Sequence, residues 1–283
     1  MKPATFVSRG RTFTIGERPW IMGIVNLSED SFSGDGIATT ADAIERAREL
    51  IAEGAEIIDV GAESARTNRG AITIEEETAR LRDFLATWKD ACLPALLSIN
   101  TWRPEVVREV LPLGGDILND IGALPTDQNA RICAEHGRAL LIMHSVGEPK
   151  IPHTHVGYED IMSRLDVFFE EKIRVATAAG LRRDAIILDP GIDFAKQREN
   201  NLRIYRELSR LHRFERPILL PVSRKTVIGD VLGIPEPAER DAGTVACIVQ
   251  GMQQGAHVFR VHNVRAASQT VRTIGAIESS SMV

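Results

Sequence analysis

Gly54-Ala55-Glu56-Ile57-Ile58-Asp59 returns in outline twice more, as Gly114-Gly115-Asp116-Ile117-Leu118-Asn119 and as Gly255-Ala256-His257-Val258-Phe259-Arg260. Each copy reads as the end of a helix, a short apolar strand and then a polar side chain. In a parallel barrel such polar residues fall toward the C-terminal rims of the strands, where sites of that architecture are assembled. Asp59, Asn119 and Arg260 are therefore candidates by placement alone.

Working outward, apolar runs rich in Ile, Val and Leu at 21–27, 56–60, 95–99, 116–119, 139–143, 185–188, 218–222 and 257–261 make eight strands, the number a closed barrel requires. Helical patterns lie between them. The stretch 41–53 has Thr39 and Asp42 for a capping-box-like start and Gly54 for a stop. The stretch 159–179 carries Leu165, Phe168, Phe169 and Ile173 on one stripe, which reads as core packing. No Pro/Gly/Ser-rich linker divides the 283 residues, and a barrel of roughly 250 residues folds as one unit. The expectation is an α/β protein, a (β/α)8 TIM barrel forming a single domain over 1–283. The barrel would span about 18–277, between a short N-terminal extension and a frayed tail at 278–283. A doubly wound open sheet shares the alternation, but its glycine fingerprint after the first strand is absent.

A hydrophobic fraction of 43% and a charged fraction of 26% are those of a soluble globular chain with a large core. The net charge of -5 argues against a broad nucleic-acid-binding face. No stretch reads as a secretion signal or a membrane span. Cys92, Cys133 and Cys247 are widely spaced and lack a CxxC, which suits free buried thiols in a cytoplasmic protein.

The strand ends carry the chemistry. After the first strand, the polar segment 26–36 has glycines that would let it move as a lid, and Asn26 and Asp30 can bind a metal-phosphate group. In the loop after the second, Arg66 can hold an anion. Asn100, Asn119-Asp120 and Asp189-Pro190-Gly191 offer amides and carboxylates at one mouth, suited to the donor-rich edge of a pterin or guanine-like ring. Ser223-Arg224-Lys225-Thr226 and Arg260-Val261-His262-Asn263 end the last two strands, where barrels often bind phosphate. Each of these residues singly is better read as a cap, a turn or a solvated charge; their shared position favours a site. His144, His153 and His155 lack the partners of a zinc site and read as structural or solvent-facing.

Together the motifs MGIVNLSEDSFS (22–33), DVGAESAR (59–66), NTWRPEV (100–106), NDI (119–121), LDPGIDFAK (188–196), SRKT (223–226) and RVHN (260–263) resemble dihydropteroate synthases, in that family's order. The resemblance implies a transferase that joins 6-hydroxymethyl-7,8-dihydropterin pyrophosphate to p-aminobenzoate, with Mg2+ on the pyrophosphate and a homodimeric assembly. It places pterin binding on Asn100, Asn119, Asp189 and Lys225, and anion and metal binding on Asn26, Arg260 and His262. The aromatic amine would lie near Arg66, Phe194 and Thr226, with Phe32 and Asp35 closing over the reactants. Lys225, Arg260 and Asp35 would act in catalysis.

The chain departs from the family's pattern at three places. Asn100 stands where Asp is usual, and an amide cannot accept charge-assisted bonds as a carboxylate does. Ala65-Arg66-Thr67 replaces Thr-Arg-Pro, with altered substrate choice and sulfonamide response as the expected result, and Asp193 and Ala195 replace glycines, with crowding or recharging of the site expected. Two further readings therefore stand beside the synthase: a pterin-binding paralogue without turnover, and a pterin-dependent methyltransferase, which leaves SRKT and RVHN without a role.

Overall fold

The computed structural model describes residues 2–27, 39–63, 70–151 and 156–280. A two-stranded antiparallel hairpin, β1 (Ala4–Ser8) and β2 (Arg11–Ile15), opens the chain. Eight parallel strands follow: β3 (Trp20–Asn26), β4 (Ile57–Gly61), β5 (Leu96–Asn100), β6 (Ile117–Asp120), β7 (Ala139–Met143), β8 (Ile186–Asp189), β9 (Leu219–Pro221) and β10 (Val258–Val261). They pair in the order β8-β7-β6-β5-β4-β3-β10-β9, and a parallel bridge between Leu188 and Ile218 joins the two ends into a barrel. All eight strands expected from the sequence are present, displaced by at most one residue at an end.

The helices α1 (Thr40–Glu53), α2 (Ile74–Ala91), α3 (Pro104–Val110), α4 (Gln128–Glu135), α5 (Ile161–Ala178), α6 (Arg198–Glu207), α7 (Thr226–Leu232), α8 (Asp241–Gln253) and α9 (Val264–Ser280) form the outer layer. Thr39 caps α1 by accepting from the Asp42 N–H, and Gly54 ends it in the left-handed region at φ 112°. Phe168 and Phe169 of α5 pack in the core between barrel and helices. Of the tail expected to fray, residues 278–280 belong to α9, and residues 281–283 lie outside the described residues.

The repeat has a second purpose at the feet of the strands. Its third residue in each copy makes a reciprocal pair with the preceding strand. Glu56 N–H donates to Ile21 O while Ile21 N–H donates to Glu56 Oε2 at 2.8 Å. Asp116 pairs in the same way with Leu97, at 3.0 Å to Oδ2, and His257 with Ile218, at 3.0 Å to Nδ1. Three different acceptors thus satisfy three strand-start N–H groups that the sheet leaves open.

The N-terminal extension is the hairpin, and it closes the foot of the barrel. Arg9 and Gly10 both have positive φ, 51° and 70°, as a two-residue turn of the primed type requires. Phe6 and Ile15, each fully buried, join Met22, Ile57, Ile117, Leu141, Ile187, Leu219 and Val258 in the barrel interior. Ser8 Oγ bonds Asp116 O, so the hairpin is tied to one of the capping residues. Cys133 is buried, Cys247 half-buried and Cys92 exposed, so only one of the three thiols is buried as expected. Among the described residues no helix is long and apolar enough to cross a membrane.

Candidate active site

Period-two alternation builds the site on the floor of the barrel. Inward-facing apolar residues at the foot are followed two positions later by inward-facing polar ones: Ile57 by Asp59, Leu96 by Ser98 and Asn100, Ile117 by Asn119, Ile187 by Asp189, Val258 by Arg260. The sixth residues of the three repeats meet at one point. Asp59, with no exposed surface, accepts from Arg260 Nε at 2.7 Å and from Asn119 Nδ2 at 3.1 and 3.2 Å. Ser98 Oγ at 2.6 Å and Asn100 Nδ2 at 3.3 Å complete its shell. Asn100 Oδ1 and Asn119 Oδ1 are buried and have no hydrogen-bond partner.

Beside this node lies Asp189, at the end of β8 and 3% exposed. Its Oδ1 accepts from Gly191 N–H at 2.7 Å. Burial pushes its carboxyl up to about 6, against the opposing pull of the Gly191 N–H, Lys225, Lys196 and Arg260. The next loop is tightly specified: Gly191 has φ 68°, and a Cβ there would stand 2.0 Å from His144 O. Lys196 donates to Gly191 O, Phe194 O and His144 Nδ1 at 2.8, 3.0 and 2.8 Å. Desolvation lowers its ammonium to about 7, with Lys225 adding to the effect. His144 is buried there and held neutral by desolvation and Lys196, a structural role.

The loop after β9 docks on the same segment. Lys225 Nζ donates to Ile192 O at 3.0 Å and lies 5.2 Å from the centroid of the Phe194 ring. Arg240 holds the loop from behind through Arg224 O and Lys225 O, and Arg224 turns away to pair with Asp241 at 2.8 Å. Asp193 turns its carboxylate to the start of α7, accepting from Thr226 N–H, Val227 N–H and Asn201 Nδ2, and its charge also acts on Lys196. Ser223 Oγ lies 2.8 Å from His262 Nδ1 and accepts from His262 N–H, fixing the last basic ring at the rim.

Glu63, just past β4, is almost wholly buried and binds Arg103 at 2.7 Å, Lys150 at 2.7 Å and Ile72 N–H at 3.3 Å. Lys150 also donates to Gly70 O at 2.7 Å, so the pair ties together residues flanking the segment 64–69. Arg103 continues to buried Glu77, whose carboxyl is raised by desolvation.

Of the residues expected from the sequence, Asn26, Asn100, Asn119, Asp189, Phe194, Lys225, Thr226, Arg260 and His262 all lie at or just beyond the C-terminal ends of strands. Asn100, Asn119 and Arg260 share Asp59; Asp189, Phe194 and Lys225 form a second group beside it. Phe32, Asp35 and Arg66, with Asp30, Ala65, Thr67, His153 and His155, lie outside the described residues. Asp120 does not share the mouth: strand alternation turns it outward, onto Asn129 Nδ2 at 2.9 Å and Gly122 N–H at 2.8 Å. Among the described residues no group of three His, Cys, Asp or Glu could hold a metal ion, and Asn26 offers one neutral oxygen. Ser98 escapes the sequence reading, and Ser223, Lys196 and Glu63 fall inside its motifs without being given a role of their own. The repeat's sixth position does mark Asp59.

The barrel, with an amide-and-carboxylate floor and basic rim, matches what is found among known proteins. The family model described as pterin binding enzyme matches residues 22–262. Dihydropteroate synthase of Escherichia coli strain K12 is 35% identical over 263 residues, covering 93% of each chain. The chain belongs to the dihydropteroate synthase family. It is thus placed among transferases of folate biosynthesis. The dihydropteroate synthase of Yersinia pestis, solved with a sulfonamide drug, superposes with a TM-score of 0.90 at 32% identity, covering 98% of this chain and 99% of that one. The Xanthomonas albilineans synthase in complex with 7,8-dihydropteroate gives a TM-score of 0.85 at 32% identity, covering 97% and 99%.

Proposed function

We propose that the chain condenses 6-hydroxymethyl-7,8-dihydropterin pyrophosphate with p-aminobenzoate and releases pyrophosphate. The observation that carries this reading is the pairing of unpartnered acceptors on the barrel floor with cations at its rim. Asn100 Oδ1, Asn119 Oδ1 and the Asp189 carboxylate suit a ring edge rich in N–H donors. Lys225, Arg260 and His262 suit the charge that collects on a departing pyrophosphate. The complex of a related synthase with 7,8-dihydropteroate, which contains both halves of the product, agrees with this assignment.

In the reaction the bond between the pterin's exocyclic carbon and the pyrophosphate oxygen breaks, and the electron pair leaves with the pyrophosphate. The electron-rich ring delocalises the resulting positive charge until the neutral amine supplies its lone pair, and the amine then loses a proton to solvent. No enzyme nucleophile takes part; the protein contributes orientation and fixed charge. The donor set fits Mg2+ that arrives on the pyrophosphate, with Asn26 adding one oxygen, since this ion keeps phosphate and water ligands. When bound it would neutralise charge on the leaving group. Phe194 and Thr226, with Arg66 and the residues Phe32 and Asp35, are assigned to the amine side and to closure. A homodimer in the cytoplasm is the setting we assign.

Purified protein given both substrates and Mg2+ should release pyrophosphate and form dihydropteroate in equal amounts. Pterin binding by calorimetry without pyrophosphate release would replace the synthase with a binding paralogue.

A further inference from the structure

We propose that Asp59 is a positioning residue that sets the hydrogen-bonding polarity of the pterin site and aligns the leaving-group arginine with it. The inference deepens the proposed function and rests on the reading that a pterin occupies this mouth. It begins from what an ionised carboxylate can do: it accepts only. Asn100 and Asn119 both approach Asp59, so each must turn its NH2 toward it, at 3.3 Å for one and at 3.1 and 3.2 Å for the other. The orientation of each amide is thereby fixed. Both carbonyl oxygens are left on the inner face of the barrel, buried and without a partner. A buried acceptor without a donor destabilises the free protein, a penalty that a ligand carrying N–H groups removes.

Arg260 is bound to the same carboxylate. Its Nε donates to Asp59 at 2.7 Å, and that contact fixes the orientation of the guanidinium plane and of the Nη groups it carries. One buried side chain therefore sets both the acceptors that would read the ring and the cation that would meet the pyrophosphate. Ser98 Oγ, at 2.6 Å, holds the carboxylate itself in place.

This arrangement also resolves the departure at position 100. A carboxylate there would present an oxygen whichever way it turned. An amide presents an oxygen only if something takes its NH2, and Asp59 does so. Asn100 thus keeps an acceptor in the site, as a neutral group, at the expense of depending on its neighbour.

The test compares wild type, Asp59→Asn, and Asp59→Asn combined with Asn100→Asp. The probe is 6-hydroxymethylpterin, followed by its fluorescence, and steady-state kinetics are run with both substrates. Asp59→Asn should weaken pterin binding at least tenfold and raise the pterin KM with it, while the p-aminobenzoate KM at saturating pterin stays within twofold. Moving the carboxylate to position 100 in the double variant restores an acceptor facing the ring, so pterin affinity should recover at least threefold, which general loosening of the fold would not produce. Unchanged pterin affinity in Asp59→Asn, or no recovery in a folded double variant, overturns the role of Asp59 alone. Absence of pterin binding by wild type overturns the reading beneath it. A measurement that needs no variant is the side-chain amide spectrum of the 15N-labelled chain. The NH2 groups of Asn100 and Asn119 should exchange slowly with solvent before and after pterin is added, and rapid exchange of either in the free protein overturns the proposal.

Discussion

The Asp189 carboxyl gives the sharpest expectation for a pH experiment. Burial raises it to about 6 from an ordinary 3.8, so acid converts it to a neutral group well before exposed carboxylates respond. At pH 5 about a tenth of the molecules carry the ionised form, against about nine-tenths at pH 7. If the carboxylate receives the N–H groups of a pterin, the pterin dissociation constant should rise about tenfold between pH 7 and pH 5. Asp189→Asn should flatten that profile and bind roughly tenfold more weakly at pH 7, the difference between a charge-assisted and a neutral pair of bonds. The same shift has a sign for stability. A carboxyl whose folded value lies above its unfolded value contributes fully below pH 3.8 and loses that contribution as pH rises through 6. By pH 7.5 the ionised group costs the fold about 3 kcal/mol, and Asp189→Asn should recover most of that in urea unfolding. A flat wild-type binding profile between pH 5 and 7, or an Asp189→Asn protein less stable than wild type at pH 7.5, would refute the reasoning.

His257 behaves in the opposite sense. Burial, with His212 beside it, lowers the ring to about 4. Stability is therefore full above pH 6.5 and falls by about 3 kcal/mol as pH drops toward 4, and urea titrations of wild type and His257→Gln should differ in slope across that window. Phe6→Ala empties a fully buried site at the foot of the barrel and should cost about 3–5 kcal/mol in thermal or urea unfolding, with pterin affinity unchanged at the far end. Asp193→Gly removes the cap on α7, worth about 1 kcal/mol, but relieves a non-glycine φ of 69°, worth a similar amount. Its stability should therefore lie within about 1 kcal/mol of wild type by calorimetric melting, while the p-aminobenzoate KM rises as the Lys225-Thr226 turn loosens.

The barrel is legible because its strands are buried on both faces and so read as continuous apolar runs between helical stretches. The rim is legible because alternation turns polar residues inward from the middle of the strands to their C-terminal ends. Three things escape. The hairpin at the foot shows its alternation only over five-residue strands, in a stretch dominated by polar and basic residues, and what makes it structural is the open barrel end that Phe6 and Ile15 fill. Asp193 reads as an intruder in a glycine loop, because a cap supplied to a helix more than thirty residues later in the chain has no local signature. Asp120 reads as part of the mouth because proximity along the chain conceals that adjacent strand residues face opposite ways. Asp59 stands between these cases: the repeat singles it out, yet its importance comes from four partners on three other strands that only the closed barrel brings together.

The reciprocal pairs at the strand feet follow a rule of their own. Glu56 stitches β4 to β3, Asp116 stitches β6 to β5, and His257 stitches β10 to β9. In these three pairs the side-chain stitch lies inside the pair, while across each boundary the same residues offer only a backbone carbonyl, to Leu96, Ala139 and Trp20. A chimera built from this chain and another barrel should therefore be cut after β4, after β6 or before β9. A cut inside a pair would strand an acceptor on one parent and its orphaned N–H on the other.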